Sequence, residues 1–472
     1  MTKRLNIYIK EDSIPLSIEQ SKYVFKLIAK TAGFPYKFTR SIIKADIIYA
    51  GRGAKSRLNI IPDKRLADCN RKPRIAEENN IPFLLFYYDK CPIIQHNGNS
   101  VTLNNDIIYS IYYLLSGIQE KEIERDRKGY NPKQSILYPN GNFYNPIINI
   151  YSSFIRGIFY KSHKPIDIWP NKKKYALALS HDCDYPLMKR YIEAVRYTLD
   201  NGINIKKIFE ILFSKKQTFW NFGKWMDIED ENGLKSCFYF CANKGLMLTY
   251  YIANPEPFYD ITQHRFVKLF DKLKERGFEI GLHSSYMAYA SLKSFRNERK
   301  KLNKYAKSEI VGNRHHYLNV SPKSFTDTVK LHSDIGFLYD SSLGFDKHCG
   351  FRRSISTPFY FFDEKQKKEL PVLELPLALI DNQLFGYLKF STVKDRHKII
   401  GLLINNARKY NGLLMVDYHV RILNNDFFPG WGESYLYLLK KVKERNDFYS
   451  DTPENIARYW IKRDKYLESM SG

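Results

Sequence analysis

Tyr175-Ala176-Leu177-Ala178-Leu179 is an apolar run that stops at Ser180-His181-Asp182-Cys183-Asp184. A short apolar stretch ending on two carboxylates predicts a buried strand that delivers acids to one end of a sheet. Side chains alternate along a strand, so Asp182 and Asp184 share one face while His181 and Cys183 point the other way. Two neighbouring carboxylates repel unless a cation or a shared proton separates their roles. One acid on a metal and the other free to take a proton is the economical arrangement. A strand end followed by a solvated polar turn is the plain one.

Composition narrows the class. A chain of 472 residues suggests two or three domains, and 44% hydrophobic with 15% aromatic residues can bury a large core. The formal charge of +25 raises nucleic acid as a partner. The basic residues are dispersed, however, in short groups such as Lys172-Lys173-Lys174 and Arg299-Lys300-Lys301, with no motif of a nucleic-acid module beside them. A solvated basic surface is expected and no nucleic-acid partner; attraction to anionic glycans, nucleotide-sugars or a membrane surface stays open. The cysteines Cys69, Cys91, Cys183, Cys237, Cys241 and Cys349 are scattered without a zinc-ribbon spacing, so free buried thiols in a reducing compartment are expected. The N-terminus runs straight into an alternating pattern with no apolar signal region, and the apolar stretch Ile107 to Ile118 is too short for a bilayer. A soluble cytoplasmic protein without a transmembrane segment is expected, with peripheral membrane association left open.

Strand and helix patterns divide the chain. Residues 1–125 read as a small α/β module, with strands at Leu5 to Ile9, Ala45 to Ala50 and Ile81 to Phe86. Its helices run from Ser17 to Ala32, stopped by Gly33, and from Asp106 to Ser116. Gly51-Arg52-Gly53 reads as a turn rather than a phosphate loop. Residues 126–172, rich in Pro, Gly and Asn, have connector chemistry. Residues 173–472 alternate strands (175–180, 236–240, 278–282, 309–313, 372–375, 413–418) with helices such as Thr262 to Arg276, Pro322 to Ile335 and Lys394 to Tyr410. That alternation predicts a parallel sheet or a (β/α) barrel.

Further clusters fall at predicted strand ends, where barrel enzymes build their chemistry. They are Gly281-Leu282-His283-Ser284-Ser285-Tyr286, Gly312-Asn313-Arg314-His315-His316-Tyr317, Tyr339-Asp340-Ser341-Ser342 continuing to Arg352, and Asp417-Tyr418-His419.

In this order the clusters resemble the motifs of the polysaccharide deacetylases, the metal-dependent carbohydrate esterases of family four, over about 174 to 425. Ser180 to Asp184 is similar to the D-x-D form of the first motif. The second motif, H-[ST]-x-x-[HN], begins at His283-Ser284 and breaks at Met287. Arg314-His315-His316-Tyr317 is similar to R-x-P-Y with His for Pro, and Val416-Asp417-Tyr418-His419 to L-x-x-H. His283-Ser284-Ser285-Tyr286 and Arg314-His315-His316-Tyr317-Leu318 fit a branch of the family with an uncharacterised N-terminal module.

The resemblance implies a fold and a set of roles. The fold would be α/β, a distorted (β/α) barrel preceded by a small α/β domain. Asp182 would be the general base, held by Arg314, and His419 the general acid. Asp184 and His283 would bind one divalent ion, zinc being the expected identity, with His316 preferred over His315 to replace the ligand lost at Met287, since zinc sites keep three protein ligands. Tyr317 and Arg352 would face the substrate. The activity implied is removal of acyl groups, N-acetyl foremost, from a nucleotide-linked, lipid-linked or polymeric carbohydrate in the building of surface polysaccharide. A relative that had lost its metal would be a glycan-binding or assembly protein instead.

Overall fold

The computed structural model describes residues 2–471 apart from 54, 88–90, 122, 124, 127–128, 214–217, 246–255, 323 and 389–391. The larger unit is a curled, open sheet flanked by helices. Its strands run in the order Phe359–Asp363, Lys368–Glu374, Tyr339–Asp340, Gly312–His315, Glu279–Ser284, Ser236–Phe240, Tyr175–Asp182, Leu413–Asp417 and Leu377–Ile380, with Phe448–Ser450 also beside Tyr175–Asp182. Neighbours are parallel except for the first pair. The expected distorted (β/α) barrel behind a small α/β domain is what the chain forms.

The strand Tyr175–Asp182 is buried along its whole length, as a central strand of a parallel sheet covered on both faces must be. The expected strand at 309–313 forms instead at Gly312–His315, which carries Arg314 and His315 inside the ladder. The expected helices appear at His264–Glu275, Phe325–Ile335 and Val393–Lys409.

The N-terminal sheet orders Tyr36–Phe38, Leu5–Ile9, Ile47–Tyr49, Leu58–Ile60, Ser100–Leu103 and Ile94–Asn97. Only its last pair is antiparallel. The expected strand near Ile81 exists as Ile81–Leu85 but pairs in a separate hairpin with Arg74–Glu78. Helix Ile18–Ala32 starts in a capping box, the Ser17 hydroxyl accepting from Gln20 N and the Gln20 side chain accepting from Ser17 N. It stops at Gly33 with φ +82°, where a Cβ would lie 2.5 Å from Ile166 O. The stretch with connector chemistry contains helix Ile147–His163, whose apolar face is buried and whose Arg156 reaches back to Ile166 O at 3.2 Å. Local Pro and Asn had masked that amphipathic pattern.

The two units are pinned by charge. Glu120 is buried and accepts from Arg352 Nε and Nη2 at 3.0 and 3.1 Å and from Arg353 Nη2 at 3.3 Å. Burial alone would raise its carboxyl, but Arg352 and Arg353 overcome that and hold it at about 2. Gly117 makes room for the clamp, since a Cβ there would lie 2.4 Å from Arg353 Nη2. Glu120→Ala should cost about 3–5 kcal/mol, because two buried guanidiniums lose their counter-charge. A carboxyl held below its ordinary 4.5 contributes fully above that pH and loses its contribution as pH falls through about 2. The gap in urea midpoint between wild type and Glu120→Gln should therefore narrow across that window. An unchanged midpoint at neutral pH would show the clamp to be idle.

Candidate active site

The parallel register brings the sequence clusters to one sheet edge. Asp182 pairs with Tyr239, Ser180 with Asp417, and His283 with Arg314. All lie toward carboxyl ends of strands, where a cavity of about 630 Å³ is lined by Asp182, Asp184, His283, His316, Tyr317 and His419, among others.

Asp182 is fixed by its neighbours. Its Oδ1 accepts from Arg314 Nη1 at 2.8 Å, and its own N–H donates to Asp417 Oδ1 at 2.9 Å. Arg314 is wholly buried and also donates to Asp417 Oδ1 at 2.8 Å and to the Ser180 and Ser341 hydroxyls. Burial pushes Asp182 up, but Arg314 and then His283 outweigh it, so its carboxyl titrates below its usual range. Burial and the charge of Asp182 push Asp417 well above its usual range. Of the two carboxyls Asp182 is the one held toward its ionised form, while Asp417 is pushed the other way.

Asp184 faces three imidazoles. His283 Nε2 lies 3.1 Å and His316 Nε2 3.5 Å from its Oδ1, and His419 Nε2 lies 3.2 Å from its Oδ2. Desolvation would raise Asp184, but His316 and the other imidazoles take it well below its ordinary value. In return His316, despite burial, is raised to about 10, chiefly by Asp184. The pocket calls for positive charge.

Each imidazole is oriented from behind. His283 Nδ1 is 2.9 Å from Arg314 O, a carbonyl that accepts from it and turns Nε2 toward the acids. His419 Nδ1 sits 2.8 Å from Asp381 Oδ1, and the backbone N–H of His419 donates to Asp381 Oδ2 at 2.7 Å. Burial works against protonation of His419, but Asp381 and Asp184 raise it well above the usual imidazole value. His316 Nδ1 lies 3.8 Å from Glu256 Oε2.

Among the described residues, Asp184 Oδ1, Glu256 Oε2 and both ring nitrogens of His316 are buried without a hydrogen-bond partner. His316 turns Nε2 toward Asp184 and Nδ1 toward Glu256 without hydrogen-bond alignment, so one ring nitrogen can share a cation with Asp184 while the other faces Glu256. Ligand atoms of Asp184, Cys241 and His283 lie within 4.8 Å of one another, and so do those of Cys241, Glu256 and His316. The donor set of carboxylate, imidazole and thiol suits zinc. It fits one divalent ion.

The sequence had pointed to most of these side chains. The cluster brings together Asp182, Asp184, His283, Arg314, His316 and His419, and Tyr317 lies at the rim with φ +56° and 43% exposure. That left-handed non-Gly backbone is strain of the kind held at functional sites. His315 points away, with Nε2 2.8 Å from His332 Nε2, and burial lowers its pKa to about 3. Met287, at the break in the second motif, is 44% exposed. Arg352, expected at the substrate, is a correction: its guanidinium is committed to Glu120 and is buried between the two units. Asp381, Glu256 and Cys241 had escaped the sequence reading. Cys241 follows the strand Ser236–Phe240 as Asp184 follows Asp182, and that position was the available signal.

A family described as of unknown function (DUF7033) matches residues 8–163, less than half of the chain. No curated protein sequence matches. Similar solved structures include a protein assigned as a polysaccharide deacetylase from Mycobacterium smegmatis (18% identity, 62% of this chain and 93% of that one, TM-score 0.42). An allantoinase is also similar (14% identity, 64% and 95%, TM-score 0.42). A third is a protein assigned as a polysaccharide deacetylase from Pseudomonas aeruginosa (13% identity, 65% and 97%, TM-score 0.41). At these identities and TM-scores, function rests on the side chains of this chain alone.

Asp184→Ala and His283→Ala should each abolish stoichiometric divalent metal after reconstitution, measured by elemental analysis. His315→Ala should leave it intact. His316→Ala against Cys241→Ser decides the third ligand, the true one losing metal affinity by at least about tenfold. Wild type that takes up no divalent ion would overturn the site.

Proposed function

We propose that this chain is a metal-dependent hydrolase that removes acyl groups, N-acetyl foremost, from a sugar or glycan intermediate used to build surface polysaccharide. The observation that carries the reading is Asp184 ringed by three imidazole nitrogens beside an Asp182 held ionised by Arg314. A carboxylate kept charged next to a cation-demanding cluster is the arrangement that hydrolysis of an amide or ester needs.

Asp184 and His283, with His316 or Cys241, would hold the ion. Bound there, a divalent ion would supply Lewis acidity toward water and toward an acyl carbonyl. The chain's own residues do the proton work. Asp182 Oδ1 is occupied by Arg314, while Oδ2 faces His283 at 3.6 Å and the cavity. That free oxygen takes the proton of the attacking water. His419 is anchored by Asp381 through Nδ1, so Nε2 presents its proton to the pocket from another strand end. It protonates the leaving amine, and Asp381 stabilises the imidazolium until then. The backbone N–H of Tyr317, turned by its left-handed conformation at the rim, is the proposed donor to the developing oxyanion. Acetate and a free amino-sugar result. A cytoplasmic place, with a nucleotide-linked or lipid-linked substrate, completes the proposal.

The test is acetate release from a panel of acetylated amino-sugars by metal-reconstituted protein. Asp182→Asn should keep metal and fold while cutting turnover by at least about 100-fold. His419→Ala should do the same to substrates with poor leaving groups. If Asp182→Asn loses the ion while Asp184→Asn retains it, the two acids have exchanged roles. No acetate from any member of the panel ends the hydrolase reading.

A further inference from the structure

Helices Arg190–Asn201 and Ile205–Phe213 follow the acid pair directly in sequence. Tyr191, Val195 and Leu199 recur every four residues on the first, and Ile205, Phe209 and Phe213 on the second, with Ile203 between them. Positions four apart share one helix face. All seven side chains are 62–83% exposed. Among the described residues, the other exposed large apolar side chains do not recur at helical spacing, as is ordinary for a protein surface. Here they form two stripes, and the Phe209 and Phe213 rings pair 4.2 Å apart while staying 62% and 66% exposed.

The flanking charge says what covers them. Lys189 and Lys206 are exposed beside the stripes, and Lys215-Lys216 follow in sequence. A second copy of this chain brings the same lysines and a net +25 to the contact, so pairing two such faces sets like charge against like charge. An anionic lipid surface accepts both the apolar stripes and the lysines.

The stripe also leads into the site. Val195 and Leu199 line the cavity that holds Asp182 and Asp184, together with Ile192, Leu187 and Phe428. An aliphatic wall on one side of a sugar-sized pocket suits an acyl or polyprenyl chain.

We infer that this helical hairpin is an interfacial element that seats the protein on an anionic bilayer and opens its cavity to a substrate carried on a lipid. The docking stands on the exposed stripes; the lipid-linked substrate rests on the hydrolase reading above.

The test uses the full chain and vesicles of phosphatidylcholine and phosphatidylglycerol in equal parts. Wild type should co-sediment with them, bind less to phosphatidylcholine alone, and be released as salt rises. Ile205→Asn/Phe209→Asn/Phe213→Asn, which spares the cavity wall, should lower partitioning by at least about tenfold. It should keep wild-type metal content and acetate release from a soluble sugar. Lys206→Glu, a single surface change that leaves the apolar stripes in place, should weaken binding to the anionic vesicles only. Vesicle binding is read without turnover, so Asp182→Asn should bind as wild type does even if no substrate is ever cleaved. Wild type that ignores anionic vesicles at low salt, or a triple variant that binds equally well, overturns the inference. A wild-type dimer in sedimentation, made monomeric by the triple variant and indifferent to vesicles, would assign the face to a second copy instead.

Discussion

Arg314 is the group on which the site depends. It is a cation with no exposure, placed between Asp182 and Asp417 and over the ring of Tyr239 at 4.4 Å. Taking a guanidinium out of water is costly unless hydrogen bonds and a counter-charge replace the solvent. Here the partners come from three other strand ends, those carrying Ser180 and Asp182, Asp417, and Ser341 just past Tyr339–Asp340. Removing any one leaves the others uncompensated, so the charge network also fixes how the strands align. Burial and the charge of Asp182 push Asp417 away from its ionised form, and Arg314 answers the charge that Asp182 keeps. The second oxygen of Asp182 faces the cavity.

A second buried pair steadies the same strand from its other face. His181 Nε2 lies 2.8 Å from Glu229, and its Nδ1 lies 2.6 Å from Tyr418 O. Tyr435 donates to the same Glu229 oxygen. The alternation of a strand thus puts His181 into the helix layer and Asp182 into the pocket. One eight-residue segment carries two polar networks, and the one on the His181 face takes its partners from Glu229, Tyr435 and Tyr418 rather than from the reactive carboxylates.

What could be read from the sequence followed from periodicity. An apolar run interrupted by acids specifies both the strand and its active end, and the same logic located His283, Arg314 and His419. Asp381 and Glu256 were not legible: Asp381 follows Leu377–Ile380, a strand outside the expected set, and Glu256 is recognised only once the histidine it faces is in place. Cys241 was hidden by its residue type, since a lone buried thiol looks like a small apolar side chain. Arg352 misled for the converse reason. A loop arginine near aromatic residues looks like a ligand contact, and its true partner, Glu120, lies far away in sequence.

The N-terminal unit gains a physical role from the sheet it meets. The large sheet is not closed: its order ends on Phe359–Asp363 at one side. An edge strand exposes unpaired backbone groups that invite another strand. Helices Ile18–Ala32 and Ile107–Ser116 lie against that edge. The Tyr23 hydroxyl donates to Tyr360 O at 2.8 Å, and the Tyr23 and Tyr112 rings pack on Phe362 at 5.2 and 6.5 Å. Close by, Glu120 clamps Arg352 and Arg353, and Arg352 Nη1 donates to Gly344 O at 3.1 Å. That carbonyl belongs to the segment running from Ser341, which accepts from Arg314, to Asp346 on the cavity wall. The unit therefore covers the sheet's edge and braces a loop between the buried arginine and the pocket, a task that needs no reactive side chains of its own.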